Sequence, residues 1–184
     1  LGVSVIESCE TGIRIAAGSS SNMVQNGTVQ NNTGDGIRFE GADGMPEANR
    51  IAGVDVLNNA GNGIVVLDGA HNVITGNTIT GNNTSRAAYG GVALFGGGTL
   101  VNANTITGNG KPVRVPFSAL PDQTSGNILA PNTHDQIEFY GNTLSRSLTL
   151  TADPVNVYYQ VSGNVVVTTG VKLTVAPGVI WKLG

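Results

Sequence analysis

A gap-free block of eleven residues recurs four times in this chain, and no other feature restricts its fold so severely. Asn22-Met-Val-Gln-Asn-Gly-Thr-Val-Gln-Asn-Asn32 aligns with Asn49-Arg-Ile-Ala-Gly-Val-Asp-Val-Leu-Asn-Asn59, Asn72-Val-Ile-Thr-Gly-Asn-Thr-Ile-Thr-Gly-Asn82 and Thr99-Leu-Val-Asn-Ala-Asn-Thr-Ile-Thr-Gly-Asn109. The third position is always aliphatic (Val24, Ile51, Ile74, Val101), as is the eighth (Val29, Val56, Ile79, Ile106), and the eleventh is always Asn. A half copy, Asn127-Ile-Leu-Ala-Pro-Asn132, extends the series. The residues Asn32, Asn59, Asn82, Asn109 and Asn132 are therefore 27, 23, 27 and 23 apart. After each, a turn of variable length leads to another aliphatic anchor: Ile37, Ile64, Val92, Val113 and Ile137. The anchors open alternating stretches such as Gly36-Ile-Arg-Phe-Glu40 and Gly63-Ile-Val-Val-Leu67, so one face of each points inward.

A period of 23 to 27 residues holds at least two short strands and three turns. It holds no crossover helix: 27 Gly and 20 Asn make up about a quarter of the 184 residues, and Val and Thr are abundant. All are poor helix formers, with Gly costing about 1 kcal/mol relative to Ala. Leucine-rich repeats share the length but need a Leu ladder, and this chain has 12 Leu; propeller blades need about 40 residues. The remaining solution is an all-β, single-stranded parallel β-helix of about six to eight coils, each paired to the next about 4.8 Å away, right-handed by the usual crossover rule. In such a coil an Asn at a recurring turn tolerates left-handed backbone, and its amide can bond to the equivalent groups above and below. The Asn ladder is thus expected to be structural.

The Asn-x-Ile-x-Gly-Asn-Thr-Ile-x-Gly-Asn block followed by Gly-Ile resembles the right-handed parallel β-helix repeat of the pectate-lyase-like superfamily and of bacterial surface and carbohydrate-associated proteins. The likeness covers residues 1–141. Residues 142–184 lose the Asn ladder and alternate instead, as in Val171-Lys-Leu-Thr-Val175. The stretch Val161-Ser-Gly-Asn-Val-Val-Val-Thr-Thr-Gly-Val-Lys-Leu-Thr-Val-Ala-Pro-Gly178 is similar to a module of very large bacterial surface proteins, and is expected to add further coils to the same solenoid.

Composition narrows the partners. The net charge is −3, with nine Lys and Arg scattered and only 11% of residues charged, so no basic patch suits nucleic acid or an anionic membrane. A single cysteine, Cys9, forbids an internal disulfide, and no apolar run reaches the roughly 20 residues of a membrane span. The chain begins at Leu1 without a Met or an apolar leader, from which we expect any export signal to be removed or to lie outside it. Aligning Ile13 places Ser8 at the ladder position, so both ends are expected to be uncapped coils, either of a longer chain or of units stacking end to end.

Outward rows follow from the alternation. One runs Arg14, Arg38, Val65, Ala93, Arg114, Glu138; the next runs Ala16, Glu40, Leu67, Phe95, Pro116, Tyr140. For members that cleave acidic polysaccharides, the resemblance implies clustered Asp holding Ca²⁺ beside a basic residue, or two or three Asp serving as acid and base. Here Glu40 and Glu138 are four coils apart, about 19 Å, whereas paired carboxylates work about 5–10 Å apart. No catalytic or metal-ligating set is assigned, and Ca²⁺ is the one cofactor the resemblance would supply. Asp35, Asp43 and Asp68 sit beside Gly as turn formers; His71 and His134 are turn residues; Cys9 is a small turn or core residue. The Thr pairs Thr78/Thr80 and Thr105/Thr107 reflect β-propensity. The sequons at Asn26, Asn31, Asn82 and Asn83 are chance products of an Asn- and Thr-rich chain.

The candidate binding surface is Leu67, Phe95 and Tyr140, flanked by Arg38, Glu40 and Arg114, an apolar stripe where polar residues belong. Its alternative fate is to be covered by the insert at 83–91 or the loop at 116–121. The expected function is a non-catalytic secreted or bacterial cell-surface segment, a stalk or adhesive surface for a polysaccharide or surface glycan, or for neighbouring copies and flanking coils. The alternative is a polysaccharide lyase or glycoside hydrolase.

Overall fold

The computed structural model describes residues 5–41, 48–68, 71–84, 90–117, 126–141, 143–152, 157–161 and 164–183. It is a parallel β-solenoid of about six turns with essentially no helix. One sheet stacks β1 (Val5–Glu7), β3 (Met23–Gln30) and β5 (Arg50–Leu57); β7 (Val73–Thr75) and β8 (Thr78–Thr80) both pair with β5, and then β10 (Leu100–Asn102) pairs with β7 and β11 (Thr105–Thr107) with β8. The other, eight-stranded sheet runs β2 (Ile13–Ile15), β4 (Ile37–Phe39), β6 (Ile64–Val66), β9 (Val92–Leu94), β12 (Val113–Pro116), β13 (Gln136–Tyr140), β16 (Tyr158–Val161) and β19 (Trp181–Leu183). β14 (Thr143–Leu144) pairs with β17 (Val166–Val167), and β15 (Leu148–Leu150) with β18 (Leu173–Val175).

The repeat becomes a register. Val24, Ile51, Ile74 and Val101 pair in one column, Val29, Val56, Ile79 and Ile106 in a second, and Ile37, Ile64, Val92, Val113 and Ile137 in a third. All but Val24 are buried, and each buried Val or Ile is worth about 1.5–3 kcal/mol. Toward the C-terminal coils the core turns aromatic: Phe117 meets Phe139 edge-on at 4.7 Å, and Phe139 stacks on Tyr159 at 5.8 Å.

Asn ladders bind coil to coil along three rows. In the expected row, Asn32, Asn59 and Asn82 each donate their backbone N–H and their side-chain amide to Oδ1 of the next Asn, ending on Asn109 and Asn132. Asn132 then donates its N–H to Asp135 at 2.6 Å, which closes the row with a carboxylate. The sequence reading did not single out two further rows, Asn22–Asn49–Asn72 and Asn77–Asn104–Asn127. They stand ten and five residues, respectively, before the expected row within the repeat block.

Two details correct the sequence reading. The left-handed residue is not the ladder Asn but the one before it, as at Asn31 (φ 53°), Asn58 (φ 52°) and Gly81 (φ 72°). This bend lets the next side chain turn inward along the axis. Ser8 likewise has φ 61°, and Glu7 pairs with Gln30, so Cys9 rather than Ser8 occupies the ladder position; its N–H donates to Asn32 at 3.0 Å.

Glycine admits this ladder by close approach. A Cβ on Gly36 would lie 2.7 Å from Asn59 Nδ2, and one on Gly63 2.9 Å from Asn82 Nδ2. A row of Gly therefore interlocks with the row of Asn.

Candidate functional site

The outward face of the eight-stranded sheet carries the side chains not consumed by the core or the ladders. Its first row is in register: Arg14 beside Arg38, Arg38 beside Val65, Val65 beside Ala93, Ala93 beside Arg114, Arg114 beside Glu138. Glu138 continues to Gln160 and then Lys182. The middle of this row is not open to solvent as an outward row should be, since Val65 and Ala93 are each only 1% exposed. The row therefore divides into two charged ends.

At the N-terminal end, Arg14 meets Glu40 at 2.5 Å, Arg38 meets Asp35 at 3.0 Å, and Arg38 Nε lies 3.6 Å from Glu40. The Arg14 hydrogen bond holds the Glu40 carboxyl below the usual glutamate range. Glu10 and Thr11 join Arg14, Arg38 and Glu40 around an open groove of about 550 Å³. Asp35 also accepts from the backbone and side chain of Asn62, which makes it a structural acceptor as well as an ion-pair partner.

At the other end the aromatic stripe becomes a platform. Phe95, 38% exposed, and Tyr140 flank Pro116 in the second row, and their ring centroids are 5.3 Å apart. The Arg114 guanidinium lies over both rings, 5.7 Å from Phe95 and 5.2 Å from Tyr140, distances at which a cation is attracted to an aromatic face. Glu138 is within 3.8 Å of Arg114 and accepts from Lys111 Nζ at 2.5 Å. Burial raises the Tyr140 phenol above the ordinary tyrosine range, against the pull of Arg114, and its buried hydroxyl finds no partner among the described residues. Leu67, half-buried, stands one coil before Phe95.

The structure thus brings Phe95, Arg114 and Tyr140 together, and separately Arg38 with Glu40; it does not join the two groups. Lys111, with its residue only 7% exposed, was missed because it lies in the turn before β12, outside the alternation. Among the described residues, no three His, Cys, Asp or Glu converge on a metal-sized site. His71 and His134 are exposed in turns, and His71 has φ 64°. Cys9 is exposed and Asp68 sits in the turn after β6. Asp43, most of the 83–91 insert and most of the 116–121 loop lie outside the described residues, so their relation to the stripe does too. Of the sequons, Asn82 is buried in the ladder, Asn83 is buried, and Asn26, within β3, and Asn31, just after it, are exposed at left-handed positions.

Fold and face together define a parallel β-solenoid with a structural interior of Asn, Gly and aliphatic columns and one decorated lateral sheet. The chain belongs to the right-handed β-helix family, whose model, described as the right-handed beta helix region, matches residues 11–170. No curated protein and no solved structure matches it.

Proposed function

We propose that this chain is a non-catalytic segment of a secreted or cell-surface protein, a rigid β-solenoid that presents a glycan-contacting face. The observation that carries the reading is the Phe95–Arg114–Tyr140 platform: two rings 5.3 Å apart under one guanidinium, on an outward row of a rigid parallel sheet. Aromatic faces stack against the apolar C–H faces of sugar rings, and a guanidinium adds donors for hydroxyl oxygens. An exposed Phe held in this way contributes nothing to the core beneath it. Exposed Val166, Val167, Val175, Ile180 and Leu183 on the last coils support association with neighbouring coils, whether flanking coils or those of another copy. Sizing and electron microscopy of the pure protein test that part.

Binding to a polysaccharide panel tests the face. Phe95→Ala and Tyr140→Ala should each weaken retention while far-UV circular dichroism stays that of the wild type. Unchanged binding in both variants refutes the platform, and release of reducing ends or unsaturated products from the same polysaccharides refutes the non-catalytic assignment.

A further inference from the structure

A concavity of about 340 Å³ lies beyond Glu138 from the aromatic platform, lined by Lys111, His134, Gln136, Tyr158 and Gln160. Two strands build it: Gln136 pairs with Tyr158, and Glu138 with Gln160. Its charges are already engaged. Lys111 is held by Glu138 at 2.5 Å, and Lys182 Nζ lies 3.7 Å from the centroid of the Tyr158 ring. Its amide groups are only partly engaged. The Tyr158 hydroxyl donates to Gln136 Oε1 at 2.8 Å, which fixes that amide with its oxygen occupied and its two N–H donors directed elsewhere. Gln136 is buried as a residue, yet it lines the cleft, so those donors face its opening. Neither they, nor the half-buried Gln160 amide, nor the His134 imidazole has a side-chain partner among the described residues.

We infer that this cleft is a second subsite of the glycan-contacting face and takes a neutral sugar ring. The inference rests on the reading of that face proposed above. An amide that faces the cleft opening offers the same mixture of donors and acceptors as adjacent sugar hydroxyls. A carboxylate ligand would instead meet Glu138, with the nearby lysines already engaged. Gln136 and Tyr140 stand four residues apart on one strand, about 13 Å along it. The ligand therefore runs along β13, stacking on Phe95 and Tyr140 at one end and hydrogen-bonding in the cleft at the other. That requires more than one linked ring.

Calorimetric titration of the whole chain with neutral oligosaccharides, and with uronic-acid-containing oligosaccharides of the same length, tests this. Gln160→Ala should lose about tenfold in affinity for the neutral ligands, the loss of a hydrogen bond worth about 1.4 kcal/mol. Tyr158→Phe should lose a few-fold by freeing the Gln136 amide. Melting temperatures should stay at the wild-type value; if Gln160→Ala fails to fold, His134→Ala at an exposed position takes its place. Wild-type affinity in these variants alongside lost affinity in Phe95→Ala overturns the cleft and leaves the platform standing. A preference for the acidic ligands overturns the neutral-sugar assignment. If the wild type binds neither series, the glycan-contacting function falls and the cleft falls with it.

Discussion

The Asn22–Asn49–Asn72 row contains a defect that should be repairable. Asn72 and Thr99 are in register, one residue before the paired Val73 and Leu100, and both are buried. In rungs such as Asn22 to Asn49 the side-chain amide of one Asn donates to Oδ1 of the next, but Thr99 offers only a hydroxyl that does not reach. Asn72 Nδ2 and Thr99 Oγ1 are both left without a partner. Thr99→Asn places an acceptor opposite Asn72. The new amide nitrogen has a partner of its own in the carbonyl two residues back, the bond that Asn82, Asn104 and Asn109 make. Satisfying one orphaned buried donor is worth about 1–3 kcal/mol, and fixing the added amide returns part of that. The net gain should be about 1–2 kcal/mol, or about 2–8 °C in melting temperature for a chain of this size. Thr99→Val removes only the orphaned hydroxyl, leaves Asn72 unpaired, and should give less than half the gain. Thermal and urea denaturation followed by circular dichroism measure both. A Thr99→Asn variant that melts at or below the wild-type temperature, with a native spectrum, refutes the rung-by-rung account of the ladder.

The opposite change should be severe. Asn82→Ala removes the acceptor for Asn59 N–H and Nδ2 and the donor to Asn109, and should cost about 3–4 kcal/mol by urea denaturation. Gly63→Ala puts a methyl 2.6 Å from Ile79 Cγ2 and 2.7 Å from the Gly91 carbonyl, and should cost about 2–3 kcal/mol. Gly97→Ala meets nothing within 4 Å at an ordinary φ and should be neutral or stabilise by about 0.5 kcal/mol; equal losses at the two glycines would contradict the interlock. Glu40 is depressed by its Arg14 hydrogen bond, so its contribution is present above the ordinary glutamate value of 4.5 and fades as pH falls through its lower folded value. The melting difference between wild type and Glu40→Gln should therefore close on acidification; a difference constant with pH would show that the pair contributes no linked stability.

The row at the eleventh repeat position was legible because every copy there is Asn. The rows at the first and sixth positions were obscured by Thr99 in one and by Gly27 and Val54 in the other, although Asn77, Asn104 and Asn127 carry the same hydrogen bonds. The left-handed positions were harder still. Ser21, Ala48 and His71 share one, and such different side chains leave no pattern to read even though the backbone repeats. The strand alternation correctly placed Phe95 and Tyr140 in one row and Arg114 and Glu138 in the other, since register is fixed once an inward face is buried. Alternation carries no information on whether a row is covered, so the burial of Val65 and Ala93 could not be foreseen. The cleft at Gln136 and Tyr158 lay beyond the Asn ladder, where spacing gave no guide; only the interval from Ile137 to Tyr159 to Trp181 aligns those coils.

The place where the repeat fails is also where the decorated surface begins. Through four coils, Gly12, Gly36, Gly63 and Gly91 occupy one row because a Cβ there would strike the amide of the next ladder Asn, at 2.7 to 2.9 Å. No side chain can be displayed from that row while the interlock lasts. The pattern stops at Pro112, and the ladder itself closes three residues beyond Asn132, on Asp135. The same row is then occupied by Gln136 and Tyr158, the two residues that build the cleft. Structural repetition therefore forbids recognition chemistry on this row in the early coils, and its ending permits that chemistry in the later ones. A variant that restores the pattern, Gln136→Gly, removes the amide and the Tyr158 hydrogen bond together. It should weaken neutral-oligosaccharide binding while leaving the Asn ladder of the first coils, and its slow amide exchange, unchanged. Loss of exchange protection throughout the early coils would show instead that the cleft helps to hold the whole solenoid together.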